Sequence, residues 1–209
     1  MTPEEITPFF TRSDGQYLFA RWGRPIAPVV FGVQEETLPI IKGAIEAVVT
    51  LAGHKMAETD PELGANLMIF FLTDWSELIE TPHLDRLIPD LGPLVERLIE
   101  ADANQYRIFR FDEAGAIRAC FAFQRMTPEL AKVPAEAIAL STAAQMIVLW
   151  SDESFGRVAP IASDEASGAM ILNPDIAAII RVSYDPILPA VAQDPSHALR
   201  LAARIAHVS

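Results

Sequence analysis

The run AEAIALSTAAQMIVLWSDESF, Ala135 to Phe155, decides how the rest of the chain is arranged. From Val133 to Trp150 the residues are apolar with few interruptions, and the polar side chains in the second half are Ser141, Thr142 and Gln145. At ~3.6 residues per turn these three fall within about 100° of one another, a narrow polar strip on an otherwise apolar helix. Such a helix, expected from Pro134 to about Trp150, belongs in the middle of a domain. Its strip must face a cleft or meet buried partners, because an unpaired buried amide or hydroxyl costs about 1–3 kcal/mol.

Immediately upstream, Gln105 to Phe111 and Ala116 to Met126 read as strands joined by DEAG, a hairpin-length connection ending in glycine, and therefore antiparallel. Phe109, Phe111, Phe121 and Phe123 are expected to supply the core on one side. Trp75 to Asn104, divided by Pro82, Pro89 and Pro93 into short amphipathic pieces, reads as a helical insertion covering part of the sheet. Before it, ANLMIFFL (Ala65 to Leu72) is a continuous apolar run of strand length, suited to a strand covered on both faces. LPIIKGAIEAVVTLAG carries Ile41, Ile45, Val48 and Leu51 at helical spacing, with Gly53 placed to end it. Gln16 to Trp22 alternates as a strand, and Ile26 to Phe31 resumes extended, Pro28 confining that part to an edge or a strand start. A strand, a helix and a buried strand make a right-handed β-α-β unit.

Downstream, SDESFGR leads into a weakly patterned loop reaching Leu172. Asn173, Pro174 and Asp175 then start a helix through Val182, and Asp194 with Pro195 starts another that carries Leu199, Ala202 and Ile205. The reading is one α+β domain over residues 1–209, with an α/β-type layout and an insertion at about 75–104. It has a twisted mixed sheet of about four or five strands, an antiparallel hairpin, a central buried helix and C-terminal helices.

At 209 residues, roughly 70% of the unfolded surface can be buried, so no covalent staple is needed. The single cysteine, Cys120, excludes an intrachain disulfide and a multi-cysteine zinc site, and reads as a small core residue. The net charge of −12 argues against nucleic acid and against an anionic membrane surface, both of which are bound through lysine and arginine. With 51% apolar residues, a homo-oligomer or a surface for a protein or peptide partner is expected. The apolar runs are too short to span a bilayer. MTPEEITPFFTRSDG lacks the basic and apolar regions of a signal peptide, which points to the cytoplasm as the sequence stands, or to the periplasm if a signal has been trimmed.

The order strand, helix, strand, antiparallel hairpin and central helix resembles the zincin metallopeptidases, and in particular a bacterial family of unknown function that looks like a degenerate zincin. Active zincins carry HExxH on the central helix, two histidines for zinc and a glutamate to activate water, and metzincins extend the motif to a glycine and a third ligand. The degenerate family resembles the pattern EExxQxxGLxND, followed later by D…LLxxLYDP. In this chain Ser141 and Thr142 hold the first two positions, Gln145 the place of the second histidine and Val148 that of the glycine, with Leu149, Ser151 and Asp152 after it. NPDIAAIIRVSYDP (Asn173 to Pro186), LFARWGRPI and GANLMIFF are similar to the other segments. The resemblance implies a zincin-like frame without zinc: no metal and no cofactor, since threonine and glutamine are poor zinc ligands beside imidazole. His54, His83, His197 and His207 are scattered.

Three readings of the strip remain open. Ser141 and Thr142 bond back to carbonyls one turn earlier while Gln145 meets a loop backbone; or Ser141, Thr142, Gln145 and Asp152 line a retained cleft for a peptide strand or small polar ligand; or Ser141 is a nucleophile, although no GxSxG elbow accompanies it. Asp74, Glu77, Glu80, His83 and Asp85 read either as a metal or acid/base site or as a solvated acidic helix face. Trp22, Trp75 and Trp150 read as core or interface residues. The leading functional expectation is a non-catalytic binding or assembly module. The alternative is a hydrolase working through Ser141 and Asp152, and a third is a regulatory partner subunit.

Overall fold

In chain order the elements are α1 (Pro3–Ile6), β1 (Phe19–Ala20), β2 (Pro28–Phe31), α2 (Leu38–Leu51), β3 (Leu67–Leu72), α3 (Glu77–Glu80), α4 (Leu84–Leu87), α5 (Leu91–Glu100), β4 (Gln105–Phe111) and β5 (Ile117–Arg125). There follow α6 (Ala135–Met146), α7 (Ser154–Arg157), β6 (Ile161–Ser163), β7 (Met170–Leu172), α8 (Pro174–Ser183), β8 (Val191–Ala192) and α9 (Ser196–Val208). This is a computed structural model, and it describes residues 1–208. The fold is α+β. Its main sheet has the order β2-β3-β5-β4, parallel except for the antiparallel pair β4 and β5, so β4 is an edge strand.

The apolar run of β3 is covered on both faces, as its composition requires. Leu67, Ile69 and Phe71 join Cys120 and Ala122 of β5 in a core with α2, α6, α8 and α9, while Phe70 and Leu72 join Phe121 and Phe123 beneath α3 to α5. Trp75, Leu78, Leu84, Ile88, Leu91 and Leu98 close that second core, so α3 to α5 form a layer of their own. Burying either set from water stabilises the fold at roughly 25 cal/mol per Å² of apolar surface. Trp22, Trp75 and Trp150 are all core residues, and Cys120 is fully buried, its thiol pushed up to about 12 by desolvation.

Four expectations need correction. Phe109 pairs with Cys120 rather than with Phe121, so it faces the α6 core, and after an irregularity at Arg110/Phe111 the Phe111 ring is 41% exposed. The helix α6 ends at Met146, and Val148 and Leu149 instead bridge backbone to backbone with Arg21 and Ala20. The cause is visible in the terminal carbonyls, which need partners once a helix stops. Trp150 Nε1 donates to Ala144 O at 2.9 Å, Trp22 Nε1 to Met146 O at 2.9 Å, and the Tyr184 hydroxyl to Ile147 O at 2.6 Å. The stretch after Arg157, read as a loop, contains the hairpin β6-β7, which packs on α6. On α9 Ala202 and Ile205 are buried together with Ala198 and Leu201, but Leu199 is 57% exposed.

Start signals behave as written. Asn173 Oδ1 accepts from Asp175 N, and Asp194 Oδ1 from Ser196 N. Among the described residues no helix is long and apolar enough to cross a membrane.

Candidate functional site

A groove of ≈ 590 Å³ runs beside β4 and the end of α6. The consecutive residues Gln105 to Phe109 all line it. Successive strand residues face opposite ways, so a groove touched by all of them follows the free edge of β4 rather than one face of the sheet. The opposite wall comes from Gln145, the segment Leu149 to Asp152 that follows α6, and Arg12 of the amino-terminal arm. That arm is fixed by its aromatic residues and backbone: Phe10 stacks on Trp150 at 5.6 Å, and Phe9 O accepts from Ser151 N at 2.7 Å and from Ser154 Oγ at 2.9 Å.

Of the four residues expected to line a cleft, Gln145 and Asp152 line this groove. Thr142 lines a small neighbouring recess shared with Arg107 and Gln105, and Ser141 lies behind, reached through Gln145. Gln145 is 5% exposed and bonded at both ends of its amide: its Oε1 accepts from Arg107 Nη1 at 2.6 Å and its Nε2 donates to Ser141 Oγ at 3.0 Å. The amide orientation follows from chemistry, since guanidinium is a donor only. Gln145 therefore pairs with side chains, not with a loop backbone, and Ser141 serves as its acceptor. Exchanging Gln145 for Leu strips Arg107 of its closest acceptor. Urea unfolding is expected to register a loss of about 1–2 kcal/mol, at the lower end for a buried pair because Ser141 and Arg107 keep access to water.

The Asp152 carboxylate is held by the amino-terminal arm. Oδ2 accepts from Ser13 Oγ at 2.8 Å, and Oδ1 from Ser13 N at 3.2 Å and from Ser151 Oγ at 3.3 Å. These bonds, the Ser13 hydroxyl foremost, hold its pKa below the ordinary carboxylate range. A carboxylate so placed is an acceptor and not a proton donor near neutral pH. Ser141 and Asp152 share no hydrogen bond, and the buried imidazole of His197 is occupied at Tyr17. The acidic stretch is likewise local in its bonding: Asp74 turns onto Ser76 and Glu77 onto Thr73. Among the described residues no group of three or more His, Cys, Asp or Glu side chains is placed to hold a metal.

Arg107, Arg12 and Ser13 were not singled out by sequence reasoning. The signal for Arg107 was a charged residue alternating in phase with Phe109, on the side of the strand turned to the central helix. Nothing local marks Arg12, which lines the groove, or Ser13, which reaches Asp152 across a sequence separation of 139 residues. Comparison with family models, with curated proteins and with solved structures gave no match.

Proposed function

We propose that this chain is a binding module on a zincin-like frame that lacks the zinc motif, and that it takes an extended peptide segment along the free edge of β4. One observation carries the reading: the groove follows that edge over consecutive residues and is bounded by Gln145, the residue standing where the resemblance puts a second zinc-binding histidine. An edge strand offers a row of unpaired backbone groups, and adding a strand is a common way of holding a peptide. The order of β2, α2, β3, the hairpin β4-β5 and α6 supports the same frame.

A dication is disfavoured here on electrostatic grounds. The Arg107 guanidinium lies 2.6 Å from the Gln145 oxygen that would have to ligate it, and like charges at that range repel strongly in a partly desolvated site. Assembly through apolar surface belongs to the same proposal, supported by the exposed Ile79, Leu87 and Ile99 of the insertion segment.

Hydrogen exchange tests the reading. Extended Val/Thr-rich peptides are expected to slow exchange of the outward-facing amides in Gln105 to Phe111, and elemental analysis to find no stoichiometric zinc. Protection confined to another strand or helix, or a bound metal, would overturn the proposal.

A further inference from the structure

The guanidinium of Arg107 has two unequal sides. Nη1 donates to Gln145 Oε1 at 2.6 Å and to Gln105 Oε1 at 3.1 Å, two amide oxygens that use both of its protons. Nε and Nη2 have no acceptor among the described residues, yet neither belongs to the buried polar atoms left without a partner. That side is therefore not sealed from solvent, and Arg107 lines both the groove and the small recess beside it.

No carboxylate neutralises this charge. The ion pairs among the described residues engage Arg24, Arg118, Arg125, Arg157 and Arg204, and neither Arg107 nor Arg12, the second guanidinium on the groove wall, is among them. The one acid lining the groove, Asp152, is taken up by Ser13 and Ser151. In a chain of net charge −12, two arginines without ion pairs sharing one groove run against the overall balance. Burial lowers the pKa of Arg107, but a guanidinium stays charged throughout the physiological range.

We propose that the Nε/Nη2 side of Arg107 is a receptor for the carboxylate of an Asp or Glu side chain on the bound peptide. This rests on the peptide-groove reading above and names what the groove selects. The two N–H bonds on that side are parallel and coplanar, the geometry a carboxylate meets with both oxygens. Gln105 and Gln145 hold the other side in place, so little orientational freedom is lost on binding. A carboxylate is favoured over a phosphate monoester because the second negative charge of the latter would face Asp152 and the acidic chain.

The test uses N-acetylated, C-amidated Val/Thr heptapeptides with Glu placed in turn at three successive alternate positions, against the same peptides with Gln or phosphoserine, by titration calorimetry at low and high salt. The best Glu peptide is expected to bind about tenfold tighter than its Gln counterpart, with the advantage shrinking at high salt and largely lost in Arg107→Met. Because the Glu and Gln comparison is made on the unaltered protein, it does not depend on how the variant folds. Equal affinities would overturn the carboxylate assignment and leave the groove reading standing. Tighter binding of the phosphoserine peptides would overturn it in favour of phosphate, and no binding by any peptide would overturn both.

Discussion

Trp150→Ala is expected to lower the unfolding free energy by about 3–5 kcal/mol, the range for deleting a buried tryptophan. The ring is 7% exposed and touches three other aromatic residues: it stacks on Phe10, and meets Phe9 and Phe155 edge-on at 5.9 and 5.4 Å. Its N–H also closes the end of α6 through Ala144 O. Trp150→Phe keeps most of the packing but loses that bond and part of the ring volume, so its cost should be smaller, about 1–3 kcal/mol. Urea unfolding followed by circular dichroism reads both. A cost below about 1.5 kcal/mol for the alanine variant would mean that the amino-terminal arm, and with it the Arg12 wall of the groove and the Ser13 hold on Asp152, is not fixed by this ring.

Acidification from pH 7 to 4 is expected to remove about 2–3 kcal/mol of stability through His197 alone, after allowance for partial screening. This imidazole is 3% exposed, with Nδ1 at 3.0 Å from the Tyr17 hydroxyl, its ring 4.3 Å from that of Phe19, and Nε2 without a partner among the described residues. Burial, and then the charges of Arg200 and Arg21, pull its pKa down to about 4 from the ordinary 6.5. The folded-state value lies below the unfolded one, so between them the unfolded chain binds the extra proton. The contribution is complete above about pH 6.5 and disappears as pH falls towards 4. The Asp60 carboxyl, held at about 2 despite burial by bonds from the Leu63 and Glu62 amides, Asn66 and Arg24, acts only at lower pH. His197→Gln should flatten the profile between pH 6.5 and 4, and an imidazole titrating near 6.5 in the folded protein would refute the account.

Much of the frame was legible because its signals are local. The two-sided burial of β3 follows from an uninterrupted apolar run, the pairing of β4 with β5 from a four-residue connection, and the start of α8 from Asn173, Pro174 and Asp175. The places where the reading fell short share one cause. The end of α6 depends on donors from Trp22, Trp150 and Tyr184, two of them remote in the chain, and helical periodicity runs on past Met146 without any sign of them. Phe109 faces the other core because register with β5, not spacing along β4, decides which way it points. The hairpin β6-β7 lies in a segment too short and mixed to show alternation, and its packing against α6 supplies what its composition does not.

The strip on α6 divides in the same way. That Ser141, Thr142 and Gln145 share one side of a buried helix is a matter of 3.6-residue geometry, available from the letters alone. That Gln145 meets Arg107, that Asp152 is held by Ser13, and that both look onto the edge of β4 could be decided only by tertiary structure. Side-chain direction on one element follows from its own repeat, whereas a partner arriving from 38 or 139 residues away depends on how all the elements between them are packed.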